Sequence, residues 1–165
     1  MLKVANSGCK TNFHRKKLSI SIILFIVLFY VDQYIKHLFV DGFELKGDCI
    51  SLVLAYNYGV AFSMFAFLEE NLKFIQIAMM LAGIIYLIFH KEVFNKYYIP
   101  ASLLLAGGVS NIYDRFIHGG VVDYVYWHCG FEFAIFNLAD VLIDIAVVLI
   151  LLISYLDSKK TSVEQ

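Results

Sequence analysis

Long apolar runs rather than short amphipathic periods organise this chain. Residues 18–39 are apolar as far as Val31 apart from two serines, and then carry Asp32, Gln33 and Lys36. Residues 72–89, 97–113 and 136–156 form three further runs of similar length. A helix crosses the hydrocarbon core of a bilayer in about 20 residues with its backbone groups satisfied internally, so the four runs predict four transmembrane helices. Pro100 falls near the predicted start of the third, where a missing N–H costs least. Between the runs, residues 50–56 and Val121–Trp127 are β-branched and aromatic, and residues 131–136 continue the theme. They predict a small sheet or cradle beside the helix ends, able to hold an extended peptide through main-chain bonds. With no internal repeat and no low-complexity linker, residues 1–165 read as one integral membrane domain.

Composition agrees with the pattern. Of 165 residues, 61% are hydrophobic and 16% charged, and the mean hydropathy is +0.75; an average soluble domain is roughly 45–50% apolar and about 25% charged. A disordered chain and a disulfide scaffold are excluded, and so is a nucleic-acid partner, since 13 Lys and Arg against 14 Asp and Glu leave a net charge of −1.

The few basic residues give an orientation, because Lys and Arg favour the cytoplasmic side in short loops. Lys3, Lys10, Arg15, Lys16 and Lys17 precede the first run, Lys91 and Lys96 follow the second, and Lys159 and Lys160 lie in the tail. Both termini are predicted inside, with loops 41–71 and 114–135 outside. The basic start imitates a signal peptide but lacks a small-residue cleavage pattern after the apolar stretch, so an uncleaved first helix is expected. Cys9 falls inside, whereas Cys49 and Cys129 share the outer side. A disulfide is permitted there, but nothing in their spacing argues for one, and they are expected as unpaired small hydrophobes. The five histidines are scattered, without CxxC or HExxH, and no metal is expected.

Sorted by depth, the remaining polar residues collect at one level. Asp32 and Lys36 end the first run, Asn111, Asp114 and Arg115 the third, and Asn137 and Asp140 begin the fourth, with Asp144 one turn deeper; Asn57 and Asp123 lie in the outer loops. A charge inside a span costs about 2.5–3.5 kcal/mol on insertion scales, so such a gathering requires partners or a function. Structural readings exist for most. Asp32 and Lys36 are spaced i, i+4 and can pair; Asp114 and Arg115 can anchor a helix end, with Arg115 long enough to reach a neighbouring carboxylate. Asn137 can cap the last helix with Asp140 at its third position, and Asn57 can turn the chain before Gly59. The small residues Ala106, Gly107, Gly108 and Ser110 let another helix approach, or line a substrate contact.

Asp123 on an outer loop and Asp140 at the top of the fourth run, both set among apolar residues that lower the local dielectric, are the best candidates for a carboxylate pair. Two carboxylates held close share a proton, so that one activates water while the other protonates a scissile carbonyl or its leaving group. Asn111, Asn137 and Arg115 offer orienting donors, while Ser63 and Ser110 have no histidine at hand for a serine mechanism. Two other classes stay open on these residues: a proton-coupled carrier in which Asp140 and Asp144 titrate, and a structural subunit using the ion pairs as glue.

Five blocks now carry a resemblance: Val31-Asp32-Gln33-Tyr34-Ile35-Lys36, Asn57-Tyr58-Gly59-Val60-Ala61-Phe62-Ser63, Ala106-Gly107-Gly108-Val109-Ser110-Asn111-Ile112-Tyr113-Asp114-Arg115, Val121-Val122-Asp123-Tyr124 and Phe136-Asn137-Leu138-Ala139-Asp140. In order and topology they resemble the lipoprotein signal peptidases, signal peptidase II. The resemblance implies an all-α membrane protein, a bundle of four transmembrane helices with a small periplasmic β-cradle, in the bacterial inner membrane. It implies an aspartyl endopeptidase that removes the signal peptide of a prolipoprotein just before a diacylglyceryl-modified cysteine. Asp123 and Asp140 would be the catalytic pair. Asn111, Arg115, Asn137, Asn57, Asp32, Lys36 and Gly107 would support substrate or dyad. Membrane lipids are the surroundings, the cyclic peptide globomycin the implied inhibitor, no cofactor is implied, and a complete site in one chain predicts a monomer. Ser110 stands where the family commonly has glycine, and Val60 where it commonly has alanine.

Overall fold

The computed structural model describes residues 4–59 and 69–163, with side chains over 14–59 and 71–160. Residues 60–63 of the second block, with the Val60 departure and Ser63, lie outside the described residues, as do Lys3 and the side chains of Cys9 and Lys10. The elements run α1 (Val4–Val40), β1 (Ile50–Asn57), α2 (Glu69–Phe89), α3 (Lys91–Ile117), β2 (Val121–Trp127) and α4 (Leu138–Val163). Each predicted run falls within one helix, apart from the first residues of the fourth, and α1, α3 and α4 extend beyond it at the end away from the sheet.

Three segments, His14–Val40, Asn71–Phe89 and Leu138–Lys160, are long and apolar enough to cross a membrane. α3 is not among them: its middle, 97–113, holds three tyrosines, Pro100, two glycines, two serines and Asn111, and charged residues lie at both of its ends. Its position accounts for the difference: α1, α2 and α4 all pack against it, so Asn111, Asp114 and Arg115 are enclosed by protein, while Lys91, Glu92 and Lys96 stay exposed at its other end. The bundle is accordingly inverted relative to a soluble one. Asp32, Lys36, Asp114, Arg115 and Asn137 are buried, while Ile23, Val27, Leu81, Ile88, Val148 and Leu151 face outward.

α3 and α4 approach closely at Gly107. A methyl group there would overlap the carbonyl oxygen of Ala139 and lie 3.0 Å from Cγ1 of Ile143. Ala106, Ala139 and Ala146 are fully buried along the same contact, above a small apolar core of Leu103 and Leu142 joined by Leu24 and Leu28 of α1. Small residues here serve helix packing. Pro100 lies well inside α3, not near its start, and the helix bends at Tyr97 (φ −110°, ψ 17°). Proline cannot donate to the carbonyl four residues back and its ring crowds that group. Neighbouring carbonyls find side-chain donors instead: Lys17 Nζ donates to Asn95 O, and the hydroxyls of Ser21 and Ser102 donate to Tyr98 O at 3.3 and 2.6 Å.

β1 and β2 pair antiparallel, from Ile50 opposite Trp127 to Asn57 opposite Val121, with an irregularity between Leu52 and Ala55. Of residues 131–136, Phe136 joins this sheet, as an isolated bridge to Val125. Gly119, at φ +77°, takes a left-handed turn that sends β2 back across the helix ends. Tyr124 stacks on Phe39 of α1, with ring centroids 4.4 Å apart. The expectation of unpaired cysteines is corrected, since Cys49 and Cys129 form a disulfide with Cα atoms 4.4 Å apart. The cause is the register: both residues lie just beyond the Ile50–Trp127 pair, and His128 N donates to Cys49 O at 2.9 Å.

Replacing Gly107 with alanine is expected to force α3 and α4 apart and destabilise the bundle by roughly 1–3 kcal/mol. Thermal unfolding in detergent should show a lower Tm for Gly107→Ala than for the parent, whereas Gly83→Ala, with open space at its Cβ position, should change it little.

Candidate active site

Lys36 is the buried cation around which the polar residues assemble, with 2% of its surface exposed. Its ammonium group lies 2.9 Å from Asp32 Oδ2 and 2.7 Å from Asp114 Oδ2, and donates to Asn111 Oδ1 at 2.8 Å. The i, i+4 pair expected on α1 is therefore present, and it extends to α3. One cation does not neutralise two carboxylates, so neutral donors complete the shell. Asp32 accepts from Ser110 Oγ at 2.5 Å and from Ala139 N at 2.8 Å; Asp114 accepts from Gln33 Nε2 at 2.8 Å and from Val122 N at 3.1 Å. Ser110 thus supplies Asp32 with a buried hydroxyl donor.

The orientation of Asn111 follows from Lys36. With Oδ1 turned to the ammonium group, Nδ2 must point the other way, and it donates to Asp140 Oδ1 at 2.8 Å. Asn137 and Asp140 form the reciprocal cap expected from sequence: Asp140 N donates to Asn137 Oδ1 at 2.9 Å, and Asn137 N donates to Asp140 Oδ2 at 3.1 Å. Leu138 N, the next donor at this helix end, is taken by the hydroxyl of Tyr124 at 3.0 Å.

Asp123 arrives from β2 and is 1% exposed. It accepts from Asn137 Nδ2 at 2.7 Å and from Asn57 Nδ2 at 3.1 Å. Asn137 therefore bridges the two carboxylates, donating from its side-chain Nδ2 to Asp123 and from its backbone N–H to Asp140, while its side-chain Oδ1 accepts from the Asp140 backbone N–H. Asp123 lies outside the spans. Burial, and after it the negative charge of Asp140, pushes its carboxyl up to about 7 against the two amide donors and Lys36. Asp140 is half-buried, so the pair opens on its side.

Asn57 also makes the expected turn, its Oδ1 accepting from Gly59 N at 3.0 Å, so one side chain both shapes the loop and reaches Asp123. Arg115 reaches a neighbouring segment, where it meets backbone carbonyls. Among the described residues it binds no carboxylate; its guanidinium donates to Gln76 Oε1 at 3.1 Å, to Asn57 O at 3.5 Å and to Gly59 O. Its planar fork suits a row of carbonyl oxygens, and it fixes the loop that carries Asn57. Gly107 lies at the helix contact below the cluster, not in it. Asp144 is exposed and makes no hydrogen bond or ion pair among the described residues. Gln33, Gln76 and Tyr124 were not singled out by sequence; the signal for the first two was an amide within an otherwise apolar run. Among the described residues no group of three His, Cys, Asp or Glu could hold a metal ion.

Fold and cluster together define a multi-pass helical membrane protein with two hydrogen-bonded carboxylates where a small sheet meets the helix ends. The family model for signal peptidase (SPase) II matches residues 24–156. A lipoprotein signal peptidase of Sulfurimonas denitrificans is 56% identical over 140 residues, covering 85% of this chain and 90% of that protein. One from Helicobacter pylori is 46% identical over 149 residues, covering 90% and 95%. A solved bacterial membrane enzyme, determined by the in meso method, matches with a TM-score of 0.75 at 26% identity, over 86% of this chain and 91% of that one. The chain belongs to the signal peptidase II family of membrane peptidases.

Lys36→Met leaves Asp32 and Asp114 buried without their cation, and a loss of about 3–5 kcal/mol in stability is expected. Unfolding in detergent checks this against Lys46→Met, whose partner Glu44 lies 3.1 Å away on the exposed surface; that variant should shift stability by no more than about 0.5 kcal/mol.

Proposed function

We propose that this chain is an aspartyl endopeptidase that removes the signal peptide from diacylglyceryl-modified prolipoproteins, with Asp123 and Asp140 as its catalytic pair. The observation that carries the reading is the bridging of the two carboxylates by Asn137, with Asp123 titrating near neutrality. At neutral pH such a pair readily holds a single proton. The unprotonated carboxylate takes a proton from water as its oxygen attacks the scissile carbonyl carbon, and the protonated one gives its proton to the carbonyl oxygen. Collapse of the resulting diol breaks the C–N bond, with a proton delivered to the nitrogen. The products are a signal peptide with a new carboxylate and a lipoprotein with a free amino group on its cysteine.

The surroundings suit such a substrate. A cavity of about 290 Å³ between α2, α3 and α4 runs from Gln76 and Asn111 along Met79, Met80 and Ile143, so an apolar segment lying there ends at Asn111, the donor to Asp140. The sheet edges above offer main-chain partners to an extended peptide. Membership of the family supports a place in the bacterial inner membrane, and the bias of the basic residues puts both termini in the cytoplasm, with the dyad facing the periplasm at the depth of a lipid-modified cysteine. Residues 1–165 act as a single domain and, since both acids come from one chain, as a monomer.

Asp123→Asn and Asp140→Asn should each lower cleavage of a diacylglyceryl-prolipoprotein by roughly 10²–10⁴-fold while leaving insertion and folding intact. A gel-shift assay on purified protein, with and without globomycin, reads this directly; full turnover by either variant would sink the dyad.

The pH profile gives a second check. A pair that must keep one proton loses activity as pH rises through the Asp123 titration, so the alkaline limb should lie near 7. Asn57→Ala removes a donor that favours the charged carboxylate, which raises the carboxyl's pKa; the limb should therefore move to higher pH. A limb that moves down, or does not move, assigns the proton elsewhere.

A further inference from the structure

α2 stands apart from the rest of the bundle. It packs against α3, and among the described residues it has no substantial packing against α1 or α4. A slot therefore flanks it on each side. One reaches Asn111, the donor to Asp140. The other lies between α1 and α2 at the opposite end of the helices, has a volume of about 520 Å³, and is floored by Ala101, Leu105 and Val109 of α3. Its walls include Phe25 of α1 and Leu87 of α2, and its mouth is bounded by His14 and Lys91.

The mouth lies at the depth of lipid headgroups by an independent measure. The apolar run of α1 begins at Leu18, directly after Arg15, Lys16 and Lys17, and that of α2 ends at Phe89, two residues before Lys91. Lys91 is exposed and forms no ion pair among the described residues. Lys17 and His14 converge on Asn95 beside it: Lys17 Nζ donates to Asn95 O, and His14 Nδ1 lies 2.9 Å from Asn95 Oδ1. Arg15 and Lys16 lie on the same turn of α1. A narrow apolar slot under a cationic rim matches an acyl chain attached to a phosphate, and basic pockets between transmembrane helices are a recurring site for anionic headgroups.

We propose that this slot is a binding site for one anionic phospholipid, with an acyl chain along Leu105 and Phe25 and the phosphate at Lys91 and His14. The lipid takes the place of the missing helix contact and holds α2 against α3. α2 carries Gln76, the partner of Arg115, so occupancy also steadies the loop at Asn57.

The test is native mass spectrometry of the purified chain, titrated in detergent with phosphatidylglycerol or phosphatidylcholine of the same acyl chains. One phosphatidylglycerol should be retained at least fivefold more tightly than phosphatidylcholine. Lys91→Glu should abolish that preference, and Leu105→Trp, which fills the slot, should reduce retention of both lipids. Thermal unfolding of each variant confirms that it is folded, and the tighter lipid should raise the Tm of the parent alone. Equal retention of the two lipids by the parent, or a preference that survives Lys91→Glu, overturns the proposal. The readout involves no substrate and neither carboxylate of the pair, so it stands or falls separately from the peptidase reading.

Discussion

The structure depends on one buried ammonium group. Lys36 is out of reach of water, and its charge is tolerable because two carboxylates and an amide oxygen surround it. Those carboxylates exceed it by one charge, and the excess is spread over Ser110, Gln33 and the backbone N–H groups of Val122 and Ala139. α1, α3, β2 and the start of α4 all contribute to this single shell. Removing the cation would leave every one of those donors and acceptors facing an uncompensated charge, so the helices are held in register by electrostatics as much as by apolar contact. The same shell turns Asn111 so that its amide hydrogens face Asp140.

Structural and chemical roles coincide at the start of α4. The first free N–H groups of a helix need acceptors, and here Tyr124, Asp32 and Asn137 supply them. Asp140 returns the favour to Asn137 N, which fixes its carboxylate beside the amide that also reaches Asp123. A cap reading and a catalytic reading of Asn137 and Asp140 are therefore one geometry seen twice. Asn57 behaves in the same way, closing its own turn with one end of the amide and donating to Asp123 with the other.

Features local to one segment were legible in the sequence. The apolar runs located all four helices, the i, i+4 spacing located the Asp32–Lys36 pair, and Asn137 three positions before Asp140 located the cap. Features set by contacts between distant segments were not. The disulfide follows from sheet register, and Cys49 and Cys129 are 80 positions apart with no local cue. The reach of Arg115 to a neighbouring segment is visible in a sequence, whereas the carbonyl oxygens of Asn57 and Gly59 that it meets are not. The length of α3 was underread because Lys91 and Lys96 look like a loop. They belong to a helix whose bend at Tyr97 accommodates Pro100, with side-chain donors taking up carbonyls around it.

The helices are bound together unequally, and this bears on the site. α3 and α4 are locked by Gly107 and the alanines, and α1 joins them through the Lys36 shell. α2 lacks both devices; its polar tie to the cluster runs from Gln76 to Arg115. Arg115 in turn holds the carbonyls of Asn57 and Gly59, and Asn57 donates to Asp123, favouring its charged form. The donor that tunes the more deeply buried carboxylate thus rests, through two side chains, on the least constrained helix of the bundle. A displacement of α2 would weaken that donor and raise the proton affinity of Asp123, while Asp140, held by Asn111 and Asn137, would keep its hydrogen bonds.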